Sequence, residues 1–199
     1  MWHGIFSQQQ ADAFISRHLM NSSEFWTATP LPSISVSDAR FKNEEGNNWS
    51  GPPEGLTFQR AIRALENYGH HAEVVMVGAR QKEALLQTMT FPQQVNPFTS
   101  KPDGGSDCYG PMILSMLEYA ALTTGIAVRP GAPENATILW SCVHDTATTR
   151  PPPHFAFRQQ LGDAVFRVEG FTNRTFMGFR NGRLMFECLG STRVLSGVD

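Results

Sequence analysis

Few side chains in this 199-residue sequence are disposed to do chemistry, and most of them sit in two long connectors. Trp49 is followed directly by Ser50-Gly51-Pro52. An aromatic face of that kind packs on the apolar C–H face of a sugar ring while nearby polar groups bind its hydroxyls. The competing reading is a loop anchor buried in the core. Glu54, at the first turn of a helix, either favours the helix dipole or touches the same ligand. Tyr109 closes the second connector and suits a pocket or packing equally well, whereas Phe25 and Trp26 read as packing residues that pin the first connector.

Other chemistries are excluded more firmly. His70 and His71 are adjacent, so they project differently from a helix start, and they lack partners at ligand spacing. They read as solvated or capping residues, and no metal or other cofactor is expected. Cys108, Cys142 and Cys188 are odd in number and far apart, which argues against a disulfide framework or a metal knuckle and for buried thiols. A formal net charge of -2 with no Lys/Arg cluster offers no footprint for a phosphate backbone, so nucleic acid is not an expected partner. The N-terminal stretch lacks the basic start and apolar run of a secretory signal, and no later run reaches membrane-spanning length. The expectation is a cytoplasmic protein without a membrane partner.

The elements that must position these residues fall into two blocks. Ser7 with Gln10 forms a capping-box pattern, and Ala11, Phe14, Ile15, His18 and Leu19 then recur on one face, predicting a helix over 8–20. From Ser23 to Pro53 prolines, serines and Gly46-Asn47-Asn48 break periodicity, while Phe25, Trp26, Phe41 and Trp49 argue for an ordered loop. A second helix runs from Pro53 to a stop at Gly69, with Leu56, Ala61, Ile62, Leu65 and Tyr68 as its apolar positions. A third covers Ala72 to Met89, with Val74, Val77, Leu85 and Met89 apolar. A second broken stretch, Phe91 to Gly110, leads into an apolar helix from Pro111 to Thr124.

Beyond Arg129 the period changes, predicting strands over Ile138–Cys142, Phe155–Gln160, Ala164–Phe171, Arg174–Arg180 and Arg183–Cys188. Asn181-Gly182 is a strong type I′ hairpin signal. Pro130 and Pro133 mark the boundary, giving a helical domain over 1–130 and a β-module over 131–199. Arg150-Pro151-Pro152-Pro153-His154 reads as a rigid connector between strands. The fold class is mainly α with a C-terminal β-module, because helices in one block and strands in the next argue against α/β alternation.

Four passages, in order, resemble the C-terminal portion of the (α/α)6-barrel glycoside hydrolases, the group of trehalases, processing α-glucosidases and mannosylglycerate hydrolases. They are Gly4-Ile5-Phe6-Ser7; Glu24-Phe25-Trp26 followed by Pro30-Leu31-Pro32-Ser33-Ile34-Ser35; Asn48-Trp49-Ser50-Gly51-Pro52; and Val95-Asn96-Pro97-Phe98-Thr99. The last two are similar to the aromatic Trp-X-Gly-Pro and Asn-Pro-X-Thr-Gly passages of such enzymes. The resemblance implies a partial (α/α)6 toroid followed by a small antiparallel sheet or sandwich. It implies a carbohydrate ligand held by the loops, with Trp49, Gly51, Glu54 and Tyr109 as contacts.

The chemistry implied is inversion by two carboxyl groups roughly 6.5–9.5 Å apart. By resemblance the general acid lies upstream of this chain and the general base falls on Gln93. An amide accepts no proton near neutral pH, so Gln93 can orient a water but not act as the base. Asp103 and Asp107, on the same connector, are the carboxylates left to replace it. The passage around Trp49 also departs from the group, with Ser50 and Glu54 where a basic and an aromatic residue are usual. The expected function is that of a glycosidase-related protein, the tail of a longer inverting enzyme, with a non-catalytic sugar-binding or regulatory module as the alternative. Half a ring leaves its outer helices without neighbours, so exposed apolar surface is expected, for a partner chain or self-association to cover.

Overall fold

The computed structural model describes residues 1, 3–46, 49–104, 107–129, 137–142, 154–190 and 192–197. Among the described residues four α-helices precede seven strands, and the chain divides into two compact units, Met1–Leu117 and Glu118–Asp199. The division falls inside the fourth helix. The prolines expected to mark the boundary lie outside the described residues, and the first strand precedes them.

In the first unit, α1 (Gln8–Phe14) begins with a complete capping box: Ser7 Oγ accepts from Gln10 N at 3.2 Å and Gln10 Oε1 accepts from Ser7 N at 2.9 Å. Such a cap contributes about 1 kcal/mol. The predicted helix does not continue as α to Met20. Residues Ile15–Leu19 form a π-helical turn, in which Met20 N donates to Ile15 O. Ser16 Oγ takes the Asp12 carbonyl at 2.9 Å, the kind of side-chain competition that loosens an i→i−4 ladder. The buried positions Ala11, Ile15 and Leu19 keep the helical spacing. His18, expected on that face, instead points outward and pairs with Glu24 at 2.8 Å.

Helix α2 (Gly55–Glu66) buries Phe58, Ile62 and Leu65, and α3 (His71–Thr88) buries Val74, Val75, Val77, Ala84 and Leu85. Met89, expected in that helix, is its left-handed C-cap, with φ +54°, and is 79% exposed. Helix α4 (Gly110–Thr124) meets α3 through Gln81, whose buried amide donates to Ser115 Oγ at 2.6 Å. Tyr68, Gln8 and His70 clasp α1 to the turn after α2: Phe6 N donates to Tyr68 Oη, Gln8 Nε2 donates to Tyr68 O, and His70 Nε2 meets Asp12 Oδ1 at 2.8 Å. His70 thus occupies the N-cap position of α3, as a capping residue would, but its ring bonds to Asp12 instead of capping the helix with its side chain. Leu86, Leu114 and Leu117 are large apolar side chains left exposed.

The second unit holds two antiparallel sheets. One has the order β1 (Ile126–Arg129), β2 (Thr137–Cys142), β7 (Thr192–Gly197); the other runs β3 (Phe155–Leu161), β4 (Ala164–Gly170), β5 (Thr175–Arg180), β6 (Arg183–Leu189). Alternation buries Ala164, Phe166, Val168 and Phe176 from the larger sheet against Ile126, Ile138 and Trp140 from the smaller. Trp140 meets Phe166 and Phe186 edge-on at 5.4 and 5.3 Å. The turn at Asn181-Gly182 has φ of +50° and +79°, as a type I′ hairpin requires. Cys188 is half-buried, but Cys108, expected as a buried thiol, is exposed. Of the connector 150–154 only His154 is described, stacked on Phe171 at 5.2 Å. No helix among the described residues is long and apolar enough to cross a membrane.

Candidate functional site

The two connectors are sewn to each other. Thr29 N donates to Pro97 O at 3.0 Å and Thr29 Oγ1 to Ser100 Oγ at 2.9 Å, with Thr29 fully buried. The Phe41 and Phe98 rings meet edge-on at 6.0 Å. Within the first connector, Lys42 N donates to Ser50 O at 2.7 Å and Ser33 N to Gly51 O at 3.0 Å. Gly51 is buried so close to Lys42 that a Cβ would overlap the Lys42 carbonyl. Only glycine fits there.

The chain then enters a short ribbon. Val95 N donates to Pro53 O at 3.1 Å and Gly55 N to Gln93 O at 3.0 Å, with Glu54 opposite Gln94 in an antiparallel bridge. On the far side of that segment, Asp103 N donates to Gln94 O at 3.1 Å and Val95 lies opposite Pro102. Facing residues in antiparallel pairs share one face. The ribbon therefore sets Glu54, Gln94 and Asp103 in a row across three segments.

All three are buried, at 0%, 0% and 5% exposure. Among the described residues, neither Glu54 oxygen, neither polar atom of the Gln94 amide, nor Asp103 Oδ2 has a hydrogen-bond partner. Leaving such groups unpaired costs roughly 1–3 kcal/mol each, which is why native proteins rarely tolerate them away from a site of use. Burial pushes the Glu54 carboxyl above its ordinary range. The Gln94 and Gln93 amides lie near enough to oppose that shift, without reaching hydrogen-bond geometry. Asp103 is also raised, by burial and then by the negative charge of Glu45. Glu54 is the N-cap residue of α2 in extended conformation, yet its side chain makes no cap, so stabilising its own helix is not its use.

The remaining predicted residues differ in exposure and in bonding. Trp49 has φ +50° and is 44% exposed, so it is not an anchor buried in the core. Tyr109 is half-buried, its N donating to Phe91 O at 2.8 Å. A Cβ on Gly55 would fall 2.9 Å from both the Tyr109 ring and Met112 N, so Gly55 lets α2 start against the start of α4. Gln93, the position singled out by resemblance, is half-buried and contributes its carbonyl to the ribbon. The fully buried glutamine is its neighbour Gln94. Asp107 is exposed and takes part through its carbonyl, which accepts from Phe91 N, so the structure keeps its carboxylate out of the row. Phe25 and Trp26 pack as read: Phe25 lies 6.4 Å from the Phe14 ring and the Arg80 guanidinium sits 4.3 Å over Trp26.

Two alternatives are weaker. Among the described residues no group of three or more His, Cys, Asp or Glu is placed to hold a metal ion. A cavity of about 200 Å³ between α1, the π-helical turn and α2 is lined by Phe6, Phe14, Leu19, Leu31 and Leu65. Its apolar wall offers a polar ligand nothing to bond. Chemically, the ribbon presents two carboxyl groups with a buried amide between them. Comparison of the chain with protein-family models and with curated proteins returns no match.

Proposed function

We infer that this chain is a glycoside hydrolase-related protein that binds or acts on a small glycoside or oligosaccharide. One observation carries the reading. Pro53 to Gly55, directly after the passage Trp49-Ser50-Gly51-Pro52, pairs as one ribbon with Gln93 to Val95, about forty residues on, at the start of the second passage singled out for its likeness to sugar-cleaving enzymes. The polar row on that ribbon has hydrogen-bonding capacity with no protein partner, the complement of a polyhydroxylated ligand, and Trp49 supplies an aromatic face of the kind on which pyranoses stack. The exposed Leu86, Leu114 and Leu117 support a partial (α/α)6 toroid whose helices meet further neighbours in a longer enzyme, a partner chain or a second copy.

Calorimetric titration with a panel of neutral disaccharides, beside a hydrolysis assay, tests this. Saturable binding weakened tenfold or more by Trp49→Ala supports it; no binding to any member of the panel removes it. The amide at Gln93 favours a second reading, a sugar-binding module without turnover, and binding with no hydrolysis is its signature.

A further inference from the structure

We propose that the apolar cavity of about 200 Å³ between α1, the π-helical turn and α2 is a binding site for a small aromatic molecule, a single flat ring system of benzene to indole size. Its chemistry is the opposite of the ribbon's, and the site stands whether or not the ribbon holds a sugar. Separate segments build its walls. Ala61, Ala64 and Leu65 lie at i, i+3 and i+4 on α2 and so share one face of that helix. Alanine at two of these three positions leaves open the space that larger side chains would fill. Phe14 comes from α1 and Leu19 from the π-helical turn. Such a turn takes in one residue more than an α-turn, which moves Leu19 round from where a continued α-helix would put it, and turns of this kind are frequent at functional sites.

Leu31 adds a wall from the first connector, and its φ is +64°. The left-handed region is unfavourable for a bulky side chain. Leu31 is held there between Pro30 and Pro32 by its N–H, which donates to Phe25 O at 2.9 Å, and its side chain is buried against the cavity. Main-chain polar groups along the walls are already paired. Phe6 N donates to Tyr68 Oη at 2.9 Å and Tyr68 Oη donates to Phe6 O at 3.1 Å. Leu65 O accepts from Tyr68 N and from His70 N, both at 3.1 Å. A ligand that needs hydrogen bonds finds no partner in these groups, and water without polar partners is readily displaced by an apolar one.

Size and shape select the occupant. A cavity of roughly 150 Å³ lined by Leu, Ile and Phe stays dry and accepts benzene, so the larger one here takes a ring with a short substituent or a fused pair. Phe14 meets Phe6 edge-on at 6.3 Å and lies 6.4 Å from Phe25. A further ring against Phe6 and Phe14 extends this run of tilted aromatic contacts. A flexible alkyl chain loses rotamer freedom on entry, whereas a rigid ring has none to lose. Phe6, Phe14, Ala61 and Ala64 are half-buried while Leu19, Leu31 and Leu65 are buried, which gives the cavity a closed floor and an open mouth.

Titration of the full chain with toluene, followed by ¹H–¹³C NMR of its methyl groups, tests the site. Saturable shifts are expected at Leu19, Ala61, Ala64 and Leu65, with intermolecular NOEs to the Phe14 ring. Ala64→Leu, which fills the space, is expected to weaken toluene binding by about tenfold or more while leaving the thermal midpoint of the protein unchanged or higher. Should Ala64→Leu fail to fold, the wild-type NOEs decide: contacts from toluene to Phe14 and Leu65 support the site, and their absence at saturation overturns it. No saturable shift up to the solubility of toluene, shifts centred instead on the exposed Leu86, Leu114 and Leu117, or an affinity untouched in folded Ala64→Leu overturns it as well. Tighter binding of n-hexane than of toluene overturns the assignment of the ring.

Discussion

The β-unit and the ribbon of the helical unit are built on opposite principles. Around Trp140 the two sheets bury Phe166, Val168, Phe176 and Ile138, and among the described residues no polar side chain of that unit is buried. In the ribbon the deepest side chains are Glu54 and Gln94, and their polar atoms lack protein partners. One region is filled to stabilise the fold. The other keeps bonding capacity in reserve at a cost in stability, and regions of that kind hold ligands or react with them.

Perturbing each region should separate the two roles. Trp140→Ala, which empties the centre of the β-core, is expected to cost about 3–5 kcal/mol in the unfolding of that unit, read by denaturant titration. Sugar affinity of the full chain below that transition should stay unchanged; a lost affinity would break the distinction. Glu54→Leu should do the reverse, raising stability by about 1–3 kcal/mol because it removes an unpaired buried carboxyl, while weakening any sugar binding measured for the wild type. Ser7→Ala, which removes the α1 capping box, should cost about 1 kcal/mol and leave the ribbon untouched.

The smallest effects are pH-linked and differ in sign. Glu54 and Asp103 are held above their ordinary range, so the folded state binds their protons more tightly than the unfolded chain does. Their contribution is fully present below about pH 4 and is lost as the pH rises through the raised values. Asp12, beside His70, and Asp38, beside Arg40 and lowered to about 2, behave oppositely: what they contribute is present above the ordinary carboxylate range and lost as the pH falls. Asp12 is exposed, so Asp12→Asn should shift acid unfolding only slightly, whereas Glu54→Gln should flatten the loss of stability above pH 4. Thermal unfolding across pH 3–8 reads both.

Most helices and strands were legible because they obey a local period. Val74, Val77 and Leu85, the alternation of β4, and Asn181-Gly182 each announce themselves within a few residues. The strands Ile126–Arg129 and Thr192–Gly197 were not, since each is short and both are defined by pairing to β2 rather than by their own pattern. Trp49, Glu54 and Asp103 were visible as candidates, but their relation was not. It depends on isolated bridges between proline-rich segments forty and nine residues apart, for which no local rule exists. The same cause explains the choice between Gln93 and Gln94: along an extended segment only one of two neighbours occupies the position facing Glu54.

A ligand site on the ribbon requires the Glu54 carboxyl to be buried, unspent on the fold and in reach of the ligand. A ¹³C NMR titration of the Glu54 carboxyl in the full chain, with and without a bound disaccharide, tests this most directly. The predicted result is a midpoint above the ordinary glutamate range that moves when sugar binds. A midpoint in the ordinary range, unmoved by saturating sugar, would contradict it.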